Sequence, residues 1–321
     1  MGVLLLITNS FDTTADLLIA RLGAKSVFRF NFDIWSDYRF DFRPEGISIA
    51  DPTGWAVGSE NIAKVLWRKP RSRAPFRPTS SDPESRFYDL EVWYALRDAV
   101  NLLWLDRKIV LAEPLAELRA GKFVQMRAAA HHFMAPACQF RLGSSSRFGA
   151  DEQVVVKSLT MEPVGEDTKR ELLFTTRVDE KELSPNCPWM VQKLVEADRD
   201  VTVAVVRDAL FAFEQSRNAL HDRLVDWREL SGDAAPNAWR RHQLPPGLES
   251  AIFAFMDEMG LQFGRLDFLL NELGYHFLEV NTNGEWAWLD PDGRHGLLPK
   301  VVDEISPDTP IHPIPFPRGI G

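Results

Sequence analysis

The stretch "LDFLLNELGYHFLEVNTNGEW", residues 266–286, reads as two apolar strands around a polar turn, yet it carries Asp267, Glu279, Asn281 and Asn283. A sheet core has no use for so many oxygen-bearing side chains, whereas a site for hard metal ions does. Side chains alternate faces along a strand, so Glu279 and Asn281 share one face and Leu278 and Val280 the other. With a three-residue turn over Glu272, Leu273 and Gly274, Asp267 lies directly across from Glu279, and the oxygen donors converge on one patch. Mg2+ retains several waters, so a few side chains plus substrate phosphates suffice to hold it. The plain alternative is a solvated strand face with turn asparagines.

Working outward, "PPGLESAIFAFMDEMGLQFG" before the hairpin has helical spacing, and "VTVAVV" and "LFAFEQSR" form a second hairpin joined at "RDA". At the other end, "VLLLIT" is a buried-type strand. A helix follows, capped by Asp12 or Thr13 and ended by Gly23, and then the strand "SVFRFNFD". This β-α-β opening predicts a parallel sheet with helical cover. "KVLWRKP" is a further strand stopped by Pro70, "RSRAPFRPTSSDPES" a basic loop, and "RFYDLEVWYALRDAVNLLWLD" a long amphipathic helix. "LAELRAGKFVQMRAAAHHFM" is expected to be helical; "CQFRLG", "QVVVKSL", "LLFTTRV" and "WMVQKLV" are short strands, with "MEPVGEDTKRE" a polar loop. The tail "PDTPIHPIPFPRGIG" reads as extended. The chain is thus α/β (α+β), divided at about 1–115, 116–188 and 189–321.

The 321 residues carry a net charge of −9, which disfavours generic nucleic-acid binding. Apolar residues make up 45%, enough for a sizeable core, and no apolar run is long enough to span a bilayer. Cys138 and Cys187 lie far apart and read as reduced and structural. No signal peptide or complete myristoylation signal is present, so the expected setting is cytoplasmic, without a membrane partner. His131 and His132 diverge by about 100° on a helix and read as surface histidines rather than a metal pair. Trp93, Trp104, Trp286 and Trp288 read as core or pocket wall.

Other residues favour the metal reading. Lys157 ends the run "VVVK", and Lys122 opens the Ala-rich helix; either can present a point charge to a phosphate. Lys157 also has the plain reading of a snorkelling or surface lysine. "WMVQKLVEADRD" has the form of an adenine hinge. The backbone of Gln192, Lys193, Leu194 and Val195 would read the base, and Glu196 would hold ribose hydroxyls. Arg217 and Arg228, from separate segments, can clamp a carboxylate or a transferring phosphoryl group. No Walker A motif or kinase glycine loop is present.

In this order, Lys122, Lys157, the hinge, Arg228, Asp267 and Glu279-x-Asn281 resemble the ATP-grasp superfamily. "LLLITNSFD", "FRFNFDIW", "LWRKP", "AGKFVQMRAAAHHFMAP", "VDWR", "HQLP", "MGLQFGRLDFLL" and "FLEVNTNGEWAWLD" narrow the resemblance to ligases that mature graspetides, the microviridin-type peptides, over roughly residues 3–290. The resemblance implies an ATP-grasp fold with an N-terminal pre-ATP-grasp parallel-sheet domain, and ATP and Mg2+ as cofactors. It implies activation of an Asp or Glu side chain of a precursor peptide as an acylphosphate, closed to an ester or amide by a Ser, Thr or Lys. Asp267, Glu279 and Asn281 would hold the metal, Lys122 and Lys157 the phosphates, and Arg228 with Arg217 the acylphosphate. Asp226 and His242 are base candidates by position. An acidic, Ser/Thr/Lys-containing peptide would lie along Arg68, Lys69, Arg71 and Arg73; a homodimer is left open. A ligase for free amino acids and a non-catalytic binding module are the competing readings. Three departures stand out: Thr282 in place of Pro, Arg265 in place of a small residue, and "DVT" at 200–202 in place of Asp-Ile-Arg, for which Arg199 or Arg207 is expected to compensate.

Overall fold

The computed structural model describes residues 2–70, 82–143, 147–148, 152–159, 174–217, 225–226 and 239–317. The N-terminal region contains β1 (Val3–Thr8), α1 (Thr13–Leu22), β2 (Val27–Asn31), β3 (Arg39–Arg43), β4 (Gly46–Ala50), β5 (Ala56–Gly58), β6 (Ile62–Trp67) and α2 (Pro83–Leu105). The strands β2-β1-β6 form a parallel sheet, as the β-α-β opening predicts. Every residue of β1 is buried, which a central parallel strand covered on both faces requires. Its alternate residues serve two cores: Leu5 and Ile7 pack with Leu96, Val100 and Trp104 of α2, while Leu4 and Leu6 face the rest of the molecule. The Asp12 carboxylate caps α1 by accepting from the amides of Thr14 and Ala15, and Gly23 ends it at φ 90°. The small antiparallel sheet β3-β4-β5 is an addition that the sequence reading did not assign.

Next come α3 (Ala116–Arg119), α4 (Lys122–His132), β7 (Cys138–Arg141), β8 (Val154–Lys157), β9 (Thr176–Val178) and β10 (Trp189–Lys193). The single helix expected over this Ala-rich stretch is broken: Gly121 is extended (φ −60°, ψ 153°), so Lys122 begins a new helix. The four strands form one sheet in the order β7-β10-β8-β9. Because β10 pairs on both sides within this sheet, we propose that the central subdomain runs to about residue 193 rather than 188.

The largest sheet, β13-β12-β11-β14-β15, is built from β11 (Arg199–Val206), β12 (Ala209–Ser216), β13 (Arg240–Arg241), β14 (Phe263–Asn271) and β15 (Gly274–Asn281). One face packs on α5 (Pro246–Met259) through Val201, Val203, Phe268 and Phe277. Gly260 ends α5 in the left-handed region (φ 64°), where a Cβ would be strained. On the other face, Ala204, Val206 and Phe213 join Leu4 and Leu6 of β1 and α6 (Leu297–Ile305) in one apolar cluster. The proline-rich tail has no regular structure up to residue 317 and returns to the N-terminal region. There the Ile314 amide donates to Ile109 O at 2.9 Å, and Trp104 Nε1 donates to Ile314 O at 2.9 Å. No helix among the described residues is long and apolar enough to cross a membrane.

Candidate active site

A cleft of about 1020 Å³ lies where the three regions meet, lined by Lys69, Lys122, Lys157, Gln192–Val195, Arg217, Asp267, Glu279 and Asn281 among others. The β14–β15 hairpin supplies its acidic wall. Asp267 does face Glu279, but by a different route from the one expected. The turn has two residues, Glu272 and Leu273, and Asn271 pairs with Gly274. A register shift next to Asp267 then leaves Leu278 as the extra residue, a bulge that turns Glu279 onto the cleft face. The two routes displace the pairing by the same single residue.

Asn281 Nδ2 lies 3.2 Å from Asp267 Oδ2 and 3.1 Å from Glu279 Oε1, so the amide sits between the two carboxylates. Thr202 Oγ1 donates to Asp267 Oδ1 at 2.7 Å, and Arg265 Nη2 lies 3.0 Å from Asp267 Oδ2. Lys122 Nζ is 2.7 Å from Glu279 Oε2 and 3.4 Å from the bulged Leu278 carbonyl. The oxygen-only donor set, with cations gathered around it, fits a hard divalent ion. A part that sequence reasoning missed is Gln125, buried on α4. Its Oε1 accepts from Val280 N at 2.9 Å, and its Nε2 donates to Val280 O at 3.0 Å. The side chain thereby takes the place of a neighbouring strand along β15 and fixes α4 to the acidic wall. A Gln in an Ala-rich helix signals nothing of this in sequence.

The strand β10 crosses the opposite wall. The amides of Lys193 and Leu194 are committed to the carbonyls of Ala137 (2.8 Å) and Gln153 (2.9 Å). This places any reading of a base by backbone amides at Val195. Glu196 is not brought into the cleft: its side chain is 75% exposed and lies 3.4 Å from Arg177. Lys157 ends β8 at the cleft, two strands from Cys138 across β10. Burial pushes the Cys138 thiol up against the pull of Arg147, Lys122 and Lys157.

The other candidates divide between the cleft and places outside it. Arg217 lines the cleft but is engaged, with Nη1 2.6 Å from Asp200 Oδ1 and Nη2 donating to Val225 O. Burial holds the Asp200 carboxyl above its usual range despite that guanidinium. Arg199 points to the other face of the sheet, onto Glu214 at 3.0 Å, and Arg207 lies 3.4 Å from Glu304; neither compensates for Thr202. His242 is also on that other face, with Nδ1 2.8 Å from Glu214 Oε2 and Nε2 2.8 Å from Tyr275 Oη, so it is no general base for the cleft. Asp226 does line the cleft. His131 and His132 both contact Glu258 at the surface. Arg68 is 3% exposed and joins Asp12 (2.9 Å) and Glu285 (2.7 Å), so it is not a surface cation for a peptide. Lys69 Nζ lies 2.6 Å from the same Glu285. Burial alone would raise Glu285, but Arg68 and Lys69 bring it down to about 2. Arg228, Arg71, Arg73 and the loop over 161–171 lie outside the described residues.

The arrangement is the ATP-grasp fold with a parallel sheet at its N-terminal end, and the solved structures it resembles include ATP-grasp ligases and macrocyclases. A RiPP-associated ATP-grasp ligase of Chryseobacterium gregarium, in complex with ADP and a leader and core peptide, superposes with a TM-score of 0.80 at 23% identity, covering 97% of this chain and 98% of that one. The macrocyclase MdnC of Microcystis aeruginosa MRC, bound with precursor peptide MdnA, gives 0.76 at 18% identity, over 95% and 99%. The ATP-grasp ligase PsnB with minimal precursor, Mg and ADP gives 0.66 at 17% identity, over 94% and 96%. Neither a protein-family model nor a curated protein matches the chain by sequence.

Proposed function

We propose that this chain is an ATP- and Mg2+-dependent ligase. It activates an Asp or Glu side chain of a ribosomal precursor peptide and closes it onto a Ser or Thr hydroxyl or a Lys amine. The observation that carries this reading is the single cleft in which Asp267, Glu279 and Asn281 face Lys122, Lys157 and the β10 strand. The peptide-bound ligases of the same fold support it.

A carboxylate is a poor acyl donor until its oxygen becomes part of a good leaving group, which transfer of a phosphoryl group from ATP provides. Bound Mg2+ would neutralise phosphate charge during that transfer, held by Asp267, Glu279 and Asn281. Lys122 is placed to exchange its Glu279 contact for a phosphate oxygen, because an ammonium on a flexible stem reorients at little cost. Lys157 supplies a second point charge. Arg217, fixed by Asp200, presents a rigid cation to the cleft, and Arg228 remains the candidate to hold the acylphosphate. Val195 and its neighbours would read adenine by main-chain contacts. Asp226 is the base candidate for an ester-forming hydroxyl, whose high pKa makes a base more necessary than it is for an amine.

The peptide is an acidic, Ser/Thr/Lys-containing one, recognised through cations outside the phosphate site, Lys69 and the segment bearing Arg71 and Arg73. A cytoplasmic setting belongs to this reading, and sedimentation would distinguish a monomer from a homodimer. The test is ADP formation by the purified chain with Mg2+ and acidic peptides. Peptide-dependent ADP release supports the proposal, whereas turnover with free amino acids and none with peptides would favour a small-substrate ligase.

A further inference from the structure

Asp267 is not equivalent to Glu279 in what already holds it. Both oxygens of Asp267 are engaged, Oδ1 by the Thr202 hydroxyl at 2.7 Å and Oδ2 by Arg265 at 3.0 Å. Glu279 is held by Lys122 and by the Asn281 amide. The Glu279 partners are movable: an ammonium on four methylenes can leave for a phosphate, and an amide can rotate to present its oxygen. Of the Asp267 partners the Asn281 amide is movable in the same way, but Arg265 is not. The Arg265 side chain is 12% exposed, and its Nη1 donates to Glu285 O at 2.7 Å. Its plane lies 6.0 Å from the Trp288 ring centroid. Its Nε is buried with no hydrogen-bond partner among the described residues. The turn after β15 closes over its stem, since a Cβ on Gly284 would come within 3.3 Å of Arg265 Cβ. To release Asp267, Arg265 would have to abandon the Glu285 carbonyl and its place against Trp288 as well.

Phosphoryl transfer commonly uses two divalent ions to neutralise the β- and γ-phosphates. We infer that in this chain Arg265 supplies one of those positive charges permanently. The nucleotide-loaded site would then take a single divalent ion, held by Glu279, Asn281 and Asp267, with the Asp267 carboxylate shared between that ion and the Arg265 guanidinium. A guanidinium cannot be deprotonated at working pH, so the substituted charge is constant. The inference rests on the ligase reading above and concerns only how that site is charged.

The experiment is electron paramagnetic resonance with Mn2+ on the full chain loaded with one equivalent of a non-hydrolysable ATP analogue. Wild type is expected to bind one Mn2+ per nucleotide-loaded chain, with no Mn–Mn coupling. The variant Arg265→Met keeps an aliphatic stem against Trp288 but removes the charge; it is expected to bind two ions that couple. Two coupled ions in wild type would overturn this inference and leave the ligase reading standing. A single ion in a folded Arg265→Met variant would likewise overturn it. Should that variant fail to fold, the wild-type stoichiometry alone decides. No Mn2+ bound with the analogue would overturn the ligase reading and this inference together.

Discussion

Lys122 and Glu279 form an ion pair at the edge of the cleft that the proposed function requires to open. Without nucleotide each neutralises the other at 2.7 Å in a half-open cleft; with nucleotide each would take a different partner. Removing Glu279 therefore opens no core cavity and should cost function rather than fold. Glu279→Ala is expected to lower ATP turnover by on the order of 100-fold or more, with a thermal midpoint close to wild type. Wild-type phosphate release from this variant would sink the metal assignment. His242 makes the opposite prediction. It sits between buried Glu214 and Tyr275 on the α5 side of the sheet, and Arg240, Arg199 and the ring oppose burial to keep Glu214 below its usual range. His242→Gln should lower stability by roughly 1–3 kcal/mol through the unmade hydrogen bonds and leave kcat within about threefold, since nothing it touches lines the cleft. A selective fall in kcat with unchanged stability would restore it as a base. Residue types alone could not separate Asp226 from His242. Both stand near the right place in the chain, and only the structure separates them: Asp226 lines the cleft, while His242 follows β13, bonds to Ala212 O of β12 and turns its ring onto Glu214.

At the scale of elements, the hairpin was legible because its polar residues recur with a strand's period. Asp267 was paired with Glu279 correctly, although through a turn that proved shorter and a bulge that no composition announces. The broken helix at Gly121 and the short helix α6 were less legible: the first depends on one extended glycine, and the second carries Pro299 within its first turn, where a missing amide is tolerated. The join between the loop after β15 and the N-terminal domain was not legible at all, because it brings Thr14, Arg68 and Lys69 to Glu285 from more than 200 residues away. That join makes a pH prediction. Glu285 titrates at about 2 in the folded chain, against 4.5 as the ordinary value. Its stabilising contribution is thus complete above about pH 4.5 and is lost as pH falls toward 2. The side chain is 45% exposed, so solvent screening limits the contribution to about 1 kcal/mol. Glu285→Gln should melt a few degrees below wild type at pH 7, and the gap should narrow between pH 5 and pH 3.5. A gap that stays constant or widens on acidification would show that the loop is held by something other than this charge cluster.

On the scale of the whole molecule, the cleft is the place where three sheets come together, and two of its lining residues, Trp239 and Trp288, pack against the apolar cluster shared by β1, the large sheet and α6. Ligand binding between such units should stabilise them jointly. A non-hydrolysable ATP analogue with Mg2+ at 100 times its Kd should add about 2.7 kcal/mol, read as a higher melting temperature. Chelating the metal should remove most of that gain; a gain that survives chelation would argue against metal-linked nucleotide binding. The tail that packs across the N-terminal domain also buries Lys64, whose ammonium meets the carbonyls of Glu304 (2.9 Å) and Pro310 (3.1 Å). The parallel opening, the paired hairpins and the facing of Asp267 and Glu279 were readable from the chain. The meander β3-β4-β5 and the return of the tail were not assigned, the latter because Ile314 and Phe316 find their core partners about 200 residues away, beyond the reach of any local pattern. The most direct measurement of the central claim is mass spectrometry of acidic, Ser/Thr/Lys-containing precursor peptides after incubation with the purified chain, ATP and Mg2+. The account predicts loss of one water per ring closed, matched by ADP, and absent with Glu279→Ala; peptides that keep their full mass while ATP is consumed at the same rate with or without them would contradict it.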